Sequence, residues 1–175
     1  MLYYNCNDEI IVKHSLLQKR PLWSFNFCFF GIIFLIIDQA IKLFLSSKMV
    51  LGQTTILIKN FLNITYVHNT GAAFSLFSGN RWLLILVGVF ATICLLVYIS
   101  KLVHLTDFDI FSYSLLLGGV LGNLVDRIFR GYVVDYISLN IFGYHFPIFN
   151  FADMCIVISV ILIFISAFKG DLWRE

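Results

Sequence analysis

The sequence has few charged residues. Lys, Arg, Asp and Glu make up 13% of its 175 residues, about half the share in an ordinary soluble domain, whereas 60% of the residues are apolar. A soluble domain of this size cannot bury so much apolar surface in one core. The composition therefore excludes an ordinary soluble enzyme, and it equally excludes a disordered chain. We expect an integral membrane protein with one compact domain.

Several signatures of other chemistry are also missing. The net charge is only +2 and no basic stripe accompanies it, so we expect no nucleic-acid partner. The four cysteines form no Cys-x-x-Cys pair, which argues against a thiol-redox enzyme. The four histidines are widely separated, which argues against a metal site, and we expect no cofactor. No Gly-x-Ser-x-Gly elbow supports a serine nucleophile.

The apolar residues are concentrated in four segments, each near the length of about 20 residues that a bilayer-spanning helix needs. These segments are 22–45, 82–100, 110–127 and 151–168. They predict an all-α membrane fold, a bundle of four transmembrane helices. Residues 1–21 would form a tail, and residues 46–81 and 128–150 would form two long loops. Four crossings place both termini on one side of the membrane and both long loops on the other.

The first span is preceded by the basic residues Lys13, Lys19 and Arg20. By the positive-inside rule this flank predicts that both termini are cytoplasmic and that the long loops are extracytoplasmic. No cleavage site of small residues follows the span, so we interpret it as a retained signal anchor.

The first long loop has a pattern of its own. Apolar and polar residues alternate on both sides of Lys59-Asn60, which is typical of two short strands joined by a turn. We therefore expect a small β-containing subdomain on the extracytoplasmic side, at the membrane surface.

Four of the ten acidic residues lie at or beyond the ends of spans on the long-loop side. They are Asp38, Asp126, Asp135 and Asp153. Ionisable groups in or beside a bilayer are costly, so each is a candidate for a functional site. Their convergence on one membrane face is the main functional indication in the sequence.

Asp135 and Asp153 have the most suggestive surroundings. Asp135 lies in an apolar stretch without a basic neighbour, and Asp153 begins the last span three residues after Asn150, a natural N-cap. Two carboxyl groups in one apolar pocket cannot both ionise cheaply, so one keeps its proton. Such a pair can activate water and protonate a departing amine. The helix dipole alone also explains an acid at position 153.

The other two acids have structural explanations. Asp38 and Lys42 are spaced as an i, i+4 ion pair on one helix. Asp126 adjoins Arg127 and follows Asn123 by three residues, which favours an ion-paired or hydrogen-bonded brace. The residues alone separate Asp135 from Asp126 only through this Arg127 neighbour.

Five sequence blocks occur in a fixed order. They are DQAIK (38–42), NTGAAF (69–74), GGVLGNLVDR (118–127), VVDY (133–136) and FNFAD (149–153). In this order, on a chain with four spans, they resemble the blocks of lipoprotein signal peptidase, or signal peptidase II. That family comprises aspartyl endopeptidases of the bacterial inner membrane.

The resemblance implies a specific activity. The family removes signal peptides from diacylglyceryl-modified prolipoproteins, cutting before the lipidated cysteine, at a site near the extracytoplasmic face. Its catalytic pair corresponds here to Asp135 and Asp153. The residues that it assigns to lining or supporting the site are Asn69, Asn123, Arg127, Asn150, Asp38 and Lys42. To these we add two supporting residues from the sequence itself, Gly71, which permits a tight backbone, and Asp126, the expected brace. The implied partners are prolipoproteins and membrane lipid, and we expect a monomer.

Two other classes share part of this pattern. A small proton-coupled four-helix exporter also has four spans and membrane acids, but it would need a carboxylate in the middle of a span. A noncatalytic assembly protein would have no need for two aspartates in apolar surroundings. The resemblance assigns no role to the tail, residues 1–21.

Overall fold

The structure, a computed structural model, describes residues 21–72, 76–102 and 105–172. Apart from Pro21, the predicted tail lies outside the described residues. The helices are α1 (Pro21–Lys48), α2 (Arg81–Lys101), α3 (Asp107–Phe129) and α4 (Phe151–Leu172). The strands are β1 (Thr54–Ile58), β2 (Leu62–Asn69), β3 (Val133–Ile141) and β4 (Tyr144–His145).

All four helices are long and apolar enough to cross a membrane, which confirms the four predicted spans. Helix α3 begins three residues before the predicted apolar segment because a capping box fixes its start. The Thr106 hydroxyl accepts a hydrogen bond from the Asp109 N–H at 3.2 Å, and the Asp109 carboxylate accepts one from the Thr106 N–H at 2.9 Å.

Helix α3 is the centre of the bundle. Within its most apolar stretch 56% of the residues are buried, against 11–17% in the other three helices. Two glycines allow the close approach of its neighbours. A Cβ atom at Gly119 would lie 2.6 Å from the Ala152 carbonyl oxygen of α4, and one at Gly122 would lie 2.6 Å from Asp38 Oδ2 of α1. The other helices present their apolar side chains outward, as lipid-facing helices do.

The strands form one antiparallel sheet in the order β1-β2-β3-β4. The hairpin predicted in the first loop is confirmed, and Asn60 in its turn has φ +61°. The second loop also contributes strands, β3 and β4, which the sequence analysis did not predict. Strand β3 pairs with β2 so that Asp135 lies opposite Val67. The small subdomain is thus built from both long loops.

One face of the sheet packs against α1. Tyr66, Val134 and Tyr136 are buried there, and they contact Ile41 and Leu45 of the helix. This packing holds the start of β3 beside the ends of the helices, where the conspicuous acids lie.

Candidate active site

Asp135 is the third residue of β3, and only 3% of its surface is exposed. Its Oδ2 accepts a hydrogen bond from Asn69 Nδ2 at 2.8 Å, and its Oδ1 accepts one from Asn150 Nδ2 at 2.7 Å. Burial is the main cause that raises the pKa of Asp135 to about 6; the nearby Asp153 contributes in the same direction, and the hydrogen bonds from Asn69 and Asn150 oppose the shift. This carboxyl group therefore keeps its proton more readily than an ordinary aspartate.

Asp153 lies in the first turn of α4. Its N–H donates to Asn150 Oδ1 at 3.0 Å, and the Asn150 N–H donates back to Asp153 Oδ2 at 3.2 Å, so the predicted N-cap is confirmed. Asp153 Oδ1 also accepts a hydrogen bond from Asn123 Nδ2 at 2.7 Å. These donors hold the Asp153 carboxylate in a fixed position at the N-terminus of α4.

Both carboxylates line the same cavity, which has a volume of about 690 Å³. Its polar wall includes Asn69 and Asn123, and Ile156 and Val157 of α4 form part of its apolar wall. The cavity therefore joins a pair of acids to the apolar surface of a membrane-spanning helix.

The amide groups beside the two acids have fixed orientations. Lys42 Nζ, which can only donate, lies 3.0 Å from Asn123 Oδ1, so the Asn123 nitrogen must face Asp153. The Asn69 oxygen accepts from the Gly71 N–H at 2.9 Å, which leaves the Asn69 nitrogen to face Asp135. Each carboxylate thus accepts a hydrogen bond from an amide nitrogen, and a third group determines which way that amide is turned.

A buried ion cluster lies behind these amides. Lys42 Nζ is 2.8 Å from Asp38 Oδ2 and 3.0 Å from Asp126 Oδ2, and all three side chains are fully buried. The predicted Asp38–Lys42 pair is confirmed. The predicted brace at Asp126 exists as well, but its arginine partner is Arg130 and not the adjacent Arg127. Residues four apart share a helix face, whereas adjacent residues point in different directions.

Arg127 points to the other side of α3 and lines the cavity. Its Nη2 donates to the Gly71 carbonyl oxygen at 2.9 Å, which ties α3 to the segment that follows β2. All ten residues predicted for the site therefore lie in one connected region of the structure.

The ion cluster also holds the backbone beside each candidate acid. Asp126 Oδ2 accepts a hydrogen bond at 3.1 Å from the N–H of Val134, the residue before Asp135. Asp38 Oδ1 accepts one at 3.1 Å from the N–H of Ala152, the residue before Asp153. The two buried carboxylates thus anchor the two chain segments that carry the candidate pair.

Sequence reasoning missed two features of this region. Gln39 Nε2 lies between Asp38 Oδ2 and Asp126 Oδ1, at 3.1 and 3.2 Å, and its polar side chain in an apolar span could have indicated such a role. His68, which lines the cavity, stacks on Tyr132 with ring centroids 3.6 Å apart. Burial and the charge of Arg130 lower the pKa of His68, which disfavours the protonated ring. No motif in the sequence pointed to this stack.

Comparison with known proteins identifies the family. The sequence profile of signal peptidase II matches residues 30–169. The chain belongs to the signal peptidase II family. It is 41% identical to the lipoprotein signal peptidase of Staphylococcus haemolyticus over 145 residues, which cover 83% of this chain and 92% of that protein. It is also 41% identical to the lipoprotein signal peptidase of Staphylococcus aureus (strain JH9) over 139 residues, covering 79% and 85%.

Solved structures share the fold of this chain. Two structures of a bacterial membrane enzyme, determined by the in meso method at 2.3 and 1.9 Å resolution, superpose with TM-scores of 0.78 and 0.72. Both are 37% identical to this chain and cover 84% of it, and 90% and 92% of the solved chains are covered. The predicted fold class is confirmed. The chain is a multi-pass bacterial membrane peptidase, and the comparisons do not support the exporter alternative.

Proposed function

We propose that this signal peptidase II removes signal peptides from prolipoproteins by aspartic catalysis, with Asp135 and Asp153 as the catalytic pair. One observation carries the assignment. Two carboxylates line one cavity, and one of them is nearly fully buried, with its pKa raised to about 6. A proton-retaining carboxyl group beside a second carboxylate is the requirement for hydrolysis by this type of chemistry.

In the proposed reaction a water molecule lies between the two acids and the scissile carbonyl. The Asp153 carboxylate removes a proton from the water as its oxygen attacks the carbonyl carbon, and Asp135 gives its proton to the carbonyl oxygen. When the tetrahedral intermediate collapses, Asp135 takes that proton back. Asp153 then protonates the departing amine as the C–N bond breaks. The products are a peptide carboxyl group and a free α-amino group.

The apolar wall supports a substrate that arrives from the membrane. Val157 belongs to a spanning helix, 59% of its surface is exposed, and it borders the same cavity as Asp153. A signal helix entering laterally would place its end beside the acids while the lipid chains of a diacylglyceryl-cysteine stay in the bilayer. We place the cavity at the extracytoplasmic face and both termini in the cytoplasm, following the positive-inside rule.

The test is cleavage of a diacylglyceryl-modified prolipoprotein by the full chain in detergent or bilayers. We expect Asp135→Asn and Asp153→Asn each to abolish cleavage while the protein accumulates in membranes. Asp107→Asn is the matched control, because Asp107 is an exposed acid in the first turn of α3, away from the cavity. Full activity in either site variant would contradict the assignment of the pair.

A second comparison tests the substrate class. The same prolipoprotein without its diacylglyceryl group should be cut much more slowly, because the lipid holds the cysteine at the bilayer surface. Equal cleavage of the two forms would leave the catalytic pair in place but would contradict the proposed substrate.

A further inference from the structure

A short segment between β4 and α4 forms a wall of the cavity that the proposed reaction does not use. All four of its residues, Phe146 to Phe149, line the cavity, and we call them the lining segment. None of the four carries a charge, and Phe146, the first of them, is exposed by 44%. The chemistry at the two acids does not account for this wall.

The lining segment runs antiparallel to β3. The Phe149 N–H donates to the Ile137 carbonyl oxygen at 3.1 Å, and the Phe149 carbonyl oxygen accepts from the Ile137 N–H at 2.8 Å. At the other end of the segment, the Phe146 N–H donates to the Leu139 carbonyl oxygen at 2.9 Å. The segment is therefore held in place as an edge of the small sheet.

Ile148 is the member of the lining segment with free backbone groups. It is half-buried, and within the part of the chain that the structure describes neither its N–H nor its carbonyl oxygen has a hydrogen-bond partner. Backbone groups that are removed from water are nearly always paired in proteins, because an unpaired one is costly. Since Ile148 lines the cavity, a molecule in the cavity can supply the partners. An extended peptide does this when it adds a strand to the edge of a sheet.

The lining segment and the apolar part of α4 lie in opposite directions from the two acids. Ile137 and Leu139, which bond to the segment, follow Asp135 by two and four residues, or roughly 7 and 13 Å at 3.3 Å per residue. Helix α4 leads from Asp153 away from the segment, and Val157 borders the cavity one turn further on. A peptide with its scissile bond at the acids thus reaches α4 in one direction. In the other it meets the lining segment within about two to four residues of the cut.

We propose that the lining segment binds the residues that follow the lipidated cysteine, as an extended peptide that hydrogen-bonds to the Ile148 backbone and packs on Phe146. The inference rests on the proposed function, in which the apolar signal helix lies along α4, so that the chain after the cut continues over the lining segment. The backbone bonds to Ile148 are the same for any sequence, whereas the Phe146 ring favours an apolar side chain. Substrates are then selected on both sides of the scissile bond.

N-methylation of the substrate tests the backbone contact without altering the enzyme. Diacylglyceryl-modified prolipoprotein peptides carry one N-methylated residue, at the first, second, third or tenth position after the cysteine, and the tenth position is the control. At one or more of the three near positions kcat/KM should fall about tenfold, because the peptide loses a donor and leaves the Ile148 carbonyl oxygen unpaired. The peptide methylated at the tenth position should be cleaved like the unmodified one.

Phe146→Ala tests the side-chain contact. Phe142→Ala is the matched control, because Phe142 is a fully exposed phenylalanine in the nearby β3–β4 turn and lies outside the walls of the cavity. With the unsubstituted enzyme, replacing leucine by serine at the sensitive substrate position should raise KM about tenfold. This difference between the two substrates should largely disappear in Phe146→Ala and persist in Phe142→Ala, because only the former removes the partner of the leucine.

The outcomes separate this inference from the proposed function. Equal cleavage of all four N-methylated peptides and the unmodified peptide would overturn the inference and leave the catalytic pair in place. An undiminished difference between the leucine and serine substrates in Phe146→Ala would overturn it as well. No cleavage of the unmodified lipidated peptide would contradict the proposed function, and with it this inference.

Discussion

The raised pKa of Asp135 links the candidate site to stability. The value of about 6 in the folded protein compares with an ordinary value of 3.8. The folded state therefore binds this proton more tightly than the unfolded state. The resulting stabilisation is complete below pH 3.8 and is lost as the pH rises through about 6. The difference corresponds to about 3 kcal/mol for a group as deeply buried as this one.

The assay is the free energy of unfolding, measured for the unsubstituted protein and for Asp135→Asn in one detergent between pH 4 and pH 7. The unsubstituted protein should lose about 2.4 kcal/mol more than the variant over this range, since the rest of the 3 kcal/mol is present only below pH 4. The comparison uses the pH dependence and not the absolute stability. The new amide nitrogen would face the donors Asn69 Nδ2 or Asn150 Nδ2, which destabilises the variant at every pH.

Asp107→Asn is again the control, because this exposed acid lies away from the cavity. If Asp135→Asn and the unsubstituted protein lost equal stability between pH 4 and pH 7, the folded protein would hold no extra proton at Asp135. The reasoning from burial would then fail, and with it the role of Asp135 as the proton donor.

Three further predictions follow from the same contacts. The value of kcat/KM for prolipoprotein cleavage should fall about tenfold per pH unit above about pH 6, because Asp135 loses its proton there. A flat profile from pH 6 to 8 would contradict the role of Asp135 as the acid. Lys42→Met should lower the free energy of unfolding by about 3–5 kcal/mol, because it leaves Asp38 and Asp126 buried without their shared cation. Thermal unfolding measures this loss, and a loss below about 1 kcal/mol would refute the prediction. Gly122→Ala should lower both thermal stability and cleavage, because its Cβ would meet Asp38 Oδ2 at 2.6 Å. An unchanged midpoint of thermal unfolding would contradict this close approach.

The parts of the fold that sequence predicted are those set by strong local constraints. A bilayer requires about 20 apolar residues per helix, so the four spans could be predicted from four long apolar segments of the sequence. The β1–β2 hairpin was visible because its strands alternate and Lys59-Asn60 suits a turn. Strand β3 was not predicted, because it is a central strand and its first four residues, Val133 to Tyr136, are all buried. A strand buried on both faces shows no alternation of polar and apolar residues.

In the candidate site, too, some features could be predicted from the sequence and others could not. The acids were conspicuous because charged residues are scarce, and the five blocks indicated which acids form the candidate pair. The partners of these acids depend on three-dimensional geometry. Adjacency in sequence suggested Arg127 as the partner of Asp126, whereas the helical repeat supplies Arg130. Gln39 and His68 gained their contacts only when α1 met α3 and β2 met β3. No local sequence pattern predicts these contacts between separate elements.

The buried ion cluster is best explained by the geometry of the pair and not by stability. Removing charges from water costs several kcal/mol per ion, and apolar residues of similar volume often serve stability as well or better. Apolar side chains, however, cannot accept the N–H groups of Val134 and Ala152. Asp135 lies on a sheet and Asp153 on a helix, so their separation depends on how the sheet is joined to the bundle. Asp126 and Asp38, linked by Lys42, connect the sheet to the bundle at the residue before each acid. We infer that this cluster sets the distance between the two candidate carboxylates.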